Sequence, residues 1–89
     1  TGVADIEYPD VSGLILFPNP VSDIMTISAV DHGVSQCEIV ISDMTGRQYE
    51  RIRGIELPYD LNTSLLKPGI YIITLISDGI ALEAKFMKF

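Results

Sequence analysis

Apolar and polar residues alternate along most of the chain, and Gly, Pro, Asn and Asp break the alternation at short intervals. A two-residue period of this kind predicts half-buried β-strands joined by turns. The first strand is expected over Gly13–Phe17, stopped by Pro18-Asn19-Pro20. Each proline there removes a ladder donor and turns the preceding residue away from helix, so the pair makes a rigid corner. The second is expected over Asp23–Ala29, with Met25, Ile27 and Ala29 on one face, followed by an Asp31-His32-Gly33 turn. The third, Val34–Ser42, sets Cys37, Ile39 and Ile41 against Gln36 and Glu38. Asp43-Met44-Thr45-Gly46 reads as a tight turn with glycine where φ is positive.

A fourth strand is expected over Arg47–Ile52, broken by Gly54, and a weaker fifth over Ile55–Leu61, which Pro58 confines to a sheet edge. Asn62–Lys67 reads as a single helical turn capped by Asn62 or Thr63 and ended by Pro68-Gly69. Ile70–Ile76 is the plainest strand, with Tyr71, Ile73 and Leu75 on one face. Ser77-Asp78-Gly79 predicts a hairpin into a last strand over Ile80–Phe89. Ile80, Leu82, Ala84 and Phe86 then face one way, and Ala81, Glu83, Lys85 and Met87 the other. The expected fold class is all-β: an immunoglobulin-like antiparallel β-sandwich of about seven strands. A small barrel is the alternative.

Composition agrees. The chain holds 13 Ile and 6 Val against 4 Ala, and branched side chains suit a pleated surface better than a helix. At 89 residues it is one domain with a thin stability margin. Residues 1–13 carry three acids, Pro9 and Gly13 without a sustained period, and are expected to be a linker. Because the first residue is Thr1, the chain is expected to be a piece of something longer, with no signal peptide at its acidic start. No apolar run is long enough for a membrane-spanning helix, and a lone cysteine makes no internal disulfide.

The net charge is −6, with six Lys and Arg in all, which argues against a nucleic-acid partner. No base occurs before Arg47, and this asymmetry reads as one acidic edge and one mixed edge that keep the domain soluble. No enzyme chemistry stands out. His32 sits alone in a turn, without an activated nucleophile. Cys37 lies on an apolar face, where a free thiol behaves as a small hydrophobe. No cofactor is expected. One His and one Cys do not make a zinc site. Asp23, Asp31, Asp43, Asp60 and Asp78 lie at loops but lack the spacing of a calcium loop, and Asp is common in turns in its own right. Arg47, Arg51 and Arg53 share a face of a regular strand, and read as edge charge that blocks aggregation.

Four motifs, taken in order, resemble a known family. They are Phe17-Pro18-Asn19-Pro20 before an apolar strand, Ile41-Ser42-Asp43-Met44-Thr45-Gly46-Arg47, Leu65-Leu66-Lys67-Pro68-Gly69-Ile70-Tyr71, and Lys85-Phe86-Met87-Lys88-Phe89. Together they resemble the type A C-terminal sorting domain of the type IX secretion system of Bacteroidota, over about residues 14–89. The Cys37 position and the arginine cluster depart from that pattern.

The resemblance implies a sorting signal rather than an enzyme. A cargo domain precedes residues 1–13 and is directed, already folded in the periplasm, across the outer membrane. A surface sortase then usually removes the sorting domain within the linker and joins the cargo to anionic lipopolysaccharide. The implied partners are the translocon, outer-membrane shuttle and surface sortase components, and the implied location is the periplasm in transit, then the cell surface or the medium.

Pro18, Asn19, Pro20, Asp43, Gly46, Arg47, Pro68, Gly69 and Tyr71 are expected to maintain the fold, with the Tyr71 ring buried and its hydroxyl bonded at the rim. Lys85, Phe86, Met87, Lys88 and Phe89 are the expected recognition residues, on an edge strand free to pair with a partner. The same free edge predicts a homodimer or an exchanged strand when the domain is isolated. The alternative function is a ligand- or carbohydrate-binding module, with Tyr8, Tyr49 and Tyr59 as its exposed aromatics.

Overall fold

In the computed structural model, residues 13–29 and 36–89 are described. Among them lie seven strands: β1 (Leu14–Phe17), β2 (Ile24–Ala29), β3 (Cys37–Asp43), β4 (Gln48–Ile55), β5 (Tyr59–Asn62), β6 (Gly69–Ser77) and β7 (Ile80–Lys88). They form two antiparallel sheets with strand orders β1-β2-β5 and β4-β3-β6-β7. Alternation explains the layering. Met25 and Ile27 of β2 close against Cys37, Ile39 and Ile41 of β3, Tyr71, Ile73 and Leu75 of β6, and Phe86 of β7, all buried in one core. The result is an immunoglobulin-like sandwich, and two separate sheets set the barrel aside.

The β6–β7 hairpin carries the terminal strand. Its ladder runs without a shift from Ser77↔Ile80 to Gly69↔Lys88, and Asp78 and Gly79 both take positive φ, as a two-residue connection requires. On the other side of β6, Asp43↔Tyr71 to Glu38↔Ile76 bring in β3. The hairpin is therefore held from one side by the centre of the sheet.

Several boundaries differ from expectation. Strand β3 begins at Cys37; Val34 and Ser35 lie outside the described residues, as do the Asp31–Gly33 turn, His32 and all of the expected linker except Gly13. Gly54 does not end β4. It takes φ 68° inside the strand, and the ladder to β3 shifts register between the Cys37↔Ile55 and Ile39↔Ile52 pairs, so the glycine makes a bulge instead of a break. Strand β5 is shorter than expected, since Pro58 precedes it; it does form a sheet edge. Residues 63–66 form no helical turn. Leu66 N–H bonds the Thr63 carbonyl, and Ser64 N–H bonds the Asn62 side chain, which closes a β-turn.

Candidate functional site

The alternation of β7 divides the last five residues between two environments. Phe86 points inward and is fully buried. Lys88 also points inward and is 8% exposed; its stem is covered and its ammonium donates to the Ser22 carbonyl. Lys85, Met87 and Phe89 point outward, with Met87 43% and Phe89 66% exposed. The ladder pairs Met87 with Ile70 and Lys85 with Ile72 on the same outer face.

The backbone edge of this segment is not free. The corner that follows β1 lies along it. Asn19 Nδ2 donates to the Lys85 carbonyl at 3.1 Å, and Met87 N–H donates to Asn19 Oδ1 at 2.9 Å. Val21 N–H donates to the Met87 carbonyl at 2.9 Å, and Phe89 N–H donates to the Val21 carbonyl at 3.0 Å. Val21 and Lys88 thus form a parallel bridge. These four bonds take every outward ladder group from the Lys85 carbonyl to the Phe89 amide. The expectation of an open edge over Lys85–Phe89 is corrected. A Pro-Asn-Pro corner cannot ladder with its own N–H groups at both prolines, and the Asn19 carboxamide supplies the donor and acceptor instead.

The second motif builds a turn around one carboxylate. Asp43 Oδ1 accepts from the Thr45 hydroxyl at 2.6 Å, Thr45 N–H at 2.9 Å and Arg47 N–H at 3.0 Å. The Tyr49 hydroxyl donates to Asp43 Oδ2 at 3.1 Å. Gly46 takes φ 91° to close the turn. The Thr45 hydroxyl, then the two backbone amides and Tyr49, outweigh the cost of partial burial and hold the Asp43 carboxyl below its ordinary value of 3.8. The same bond pushes the Tyr49 phenol above its ordinary value of 10.

This turn connects to the terminal strand through rings. Arg47 lies over Tyr49 at 5.6 Å. Tyr49 meets Tyr71 edge-on at 5.5 Å, and Tyr71 stacks on Phe86 at 5.5 Å. The Tyr71 hydroxyl donates to the Lys67 carbonyl at 2.6 Å, so the step Lys67-Pro68-Gly69 is pinned to the ring, as expected for a rim bond. Asn19 and Tyr71 therefore act directly on β7, and Asp43 and Arg47 reach it through Tyr49 and Tyr71.

The arginines do not form a free basic patch. Arg51 pairs with Glu38, and Arg53 Nε lies 3.7 Å from the same carboxylate, while Arg47 is turned to Tyr49. Of the expected exposed aromatics, Tyr49 is 46% exposed. Tyr59 is half-buried against the core, Tyr8 lies outside the described residues, and the Tyr49 hydroxyl is engaged. Among the described residues no group of three or more His, Cys, Asp or Glu gathers as metal ligands. Cys37 is in the core; burial raises its thiol above 9.0, and Sγ donates to the Ile55 carbonyl at 3.3 Å.

Thr63, expected as a helix cap, and Val21 and Ser22, which follow the Pro-Asn-Pro motif, make bonds that the sequence did not show. Thr63 is fully buried, and its N–H and hydroxyl both donate to the Asp23 carbonyl at 2.7 Å. No local period marks these residues, because their partners lie on distant strands. A carboxamide between two prolines was the one available signal for Asn19.

The geometry defines a small immunoglobulin-like domain whose motif residues serve the placement of its last strand. A family model described as a secretion system C-terminal sorting domain matches residues 15–88. The chain belongs to this family, the C-terminal sorting domains of the type IX secretion system. In three dimensions it is similar to PorZ of Porphyromonas gingivalis, described as an essential bacterial surface component of the type IX secretion system. The TM-score is 0.67 at 17% sequence identity. The match covers 89% of this chain and 12% of that one, and shows the shared fold. No curated protein matches the chain in sequence.

Proposed function

We propose that this chain is the C-terminal signal that carries a fused N-terminal cargo through the periplasm and across the outer membrane. The family match over residues 15–88 is the observation that carries the reading. The convergence of the Asn19, Asp43 and Tyr71 motifs on β7 supports it, because it gives those residues the task of presenting one strand. In this reading Lys85–Phe89 supply the recognition residues, and residues 1–13 join the sandwich to the cargo. A surface sortase cuts within that joint, and the cargo is attached to the cell surface or released. The partners are the translocon, shuttle and sortase components.

The test is a fusion of residues 1–89 behind a periplasmic fluorescent protein, expressed in a host with the type IX machinery and in one without it. Fluorescence at the surface or in the medium of the competent host alone is the expected result. The mass of the released product then locates the cut. Retention in both hosts overturns the reading.

A further inference from the structure

The four bonds from Asn19 and Val21 clasp the end of β7 and decide how it can be read. A partner that adds a strand to a sheet edge uses the edge's unpaired N–H and C=O groups. From the Lys85 carbonyl to the Phe89 amide those groups are already taken by Asn19 and Val21. Phe86 and Lys88 are withdrawn into the sandwich, and the Lys88 ammonium is bonded to Ser22. What the terminal segment still offers is one row of side chains: Lys85, Met87 and Phe89.

That row does not stand alone. Met87 lies beside Ile70, which is 39% exposed, and Lys85 lies beside Ile72, so the C-terminal end of the hairpin's outer face presents apolar side chains around Lys85, with Glu83 next along the same face. Lys85 makes no ion pair with Glu83, two residues along the same face, or with any other described residue. Both ion pairs among the described residues belong to Glu38, with Arg51 and Arg53, and neither involves Lys85. A partner that covers Met87 and Phe89 also strips water from the neighbouring ammonium. Burying an unpaired ammonium opposes the gain from the apolar contact, so a fitting partner supplies an anion at that point. The whole chain carries −6, which disfavours an anionic lipid surface as that anion and favours a discrete protein carboxylate.

Resting on the sorting reading above, we propose that the terminal strand is recognised through its outward row, Lys85, Met87 and Phe89, by an apolar protein surface that presents a carboxylate to Lys85. The Pro18–Val21 corner keeps the backbone edge shut from the Lys85 carbonyl to the Phe89 amide, so recognition of this segment goes by side chains and not by strand addition.

The experiment uses the fluorescent fusion in the competent host, with Lys85→Glu, Lys85→Gln and Met87→Glu in the outward row and Asn19→Ala in the clasp. Like-charge juxtaposition at a docked interface is expected to lower export of Lys85→Glu by roughly tenfold or more. Lys85→Gln should fall by less, and Met87→Glu should fall as Lys85→Glu does. Thermal melts of the purified variant chains should match wild type for the three row variants, because these side chains are outside the core. Asn19→Ala opens part of the edge and is expected to give export no higher than wild type.

Export of the row variants at the wild-type level overturns the proposal. So does a rise in export with Asn19→Ala, which is the signature of recognition by strand addition. A third arm separates a membrane from a protein. Cosedimentation of the chain with phosphatidylglycerol–phosphatidylethanolamine vesicles, lost in Lys85→Glu, overturns the protein partner in favour of lipid. A wild-type fusion that stays in the periplasm overturns the sorting reading and this inference with it. A wild-type fusion that is exported together with the row variants overturns this inference alone.

Discussion

A single carboxylate organises the β3–β4 turn. Asp43 accepts from two backbone amides, a hydroxyl and a phenol, all within its own turn and the start of β4. These donors favour the charged form, so the folded-state value lies below the ordinary 3.8. A depressed carboxyl contributes stability in full above the unfolded value and loses it as pH falls through the folded one. The melting temperature of the wild-type chain is therefore expected to fall on acidification below about 3.8. In Asp43→Asn that acid limb flattens and the melting temperature at neutral pH is lower, which circular dichroism melts across the acid range will measure. The same substitution removes the anion that holds the Tyr49 proton, so phenolate absorbance of Tyr49 should appear at lower pH, nearer 10.

At the scale of the element, what was legible in the sequence is what alternation encodes. The inward faces of β2, β3 and β6, and the split of β7 into Phe86 inward and Lys85 outward, follow from a period of two that needs no knowledge of partners. The Asp43 turn was legible for the same reason, since all its bonds are local. Gly54 was not. A glycine in a strand pattern marks either a break or a bulge, and the choice rests on whether the neighbouring strand can pair past it. Here β3 does, with a shift of register. The φ of 68° at Gly54, with no neighbour within 4 Å of the site of a Cβ, makes the requirement conformational and not steric. Gly54→Ala is expected to destabilise the chain by about 1–2 kcal/mol, the cost of a left-handed L-residue. Gly54→Asn should cost less, because asparagine tolerates that region. Urea denaturation of the two variants checks the order.

In the whole molecule, the proposed recognition row and the closure of the fold share one strand. The clasp joins residues 66 and 68 positions apart through Asn19, a separation that no local pattern encodes, and it closes the sandwich at both termini of the described core. The expected open edge over Lys85–Phe89, with the dimer or strand exchange drawn from it, therefore loses its basis in that segment. The same closure changes what a truncation means. Removing Lys85–Phe89 takes away the fully buried Phe86, the bridge to Val21 and the lysine bonded to Ser22. Loss of a buried Phe alone costs about 3–5 kcal/mol, against a total of about 5–15 kcal/mol for a typical domain, with a chain of this size near the lower end. The truncated chain is expected to unfold, with no cooperative melt and rapid proteolysis, so its failure to be exported would report the loss of the sandwich as much as the loss of an address. Phe86→Ala should fall between the truncation and wild type, with a lowered melting temperature and a cooperative transition retained. A cooperative wild-type-like melt of the truncated chain would show instead that β7 is an appendage. The separable parts of the signal would then lie along the chain, rather than between the two faces of one strand.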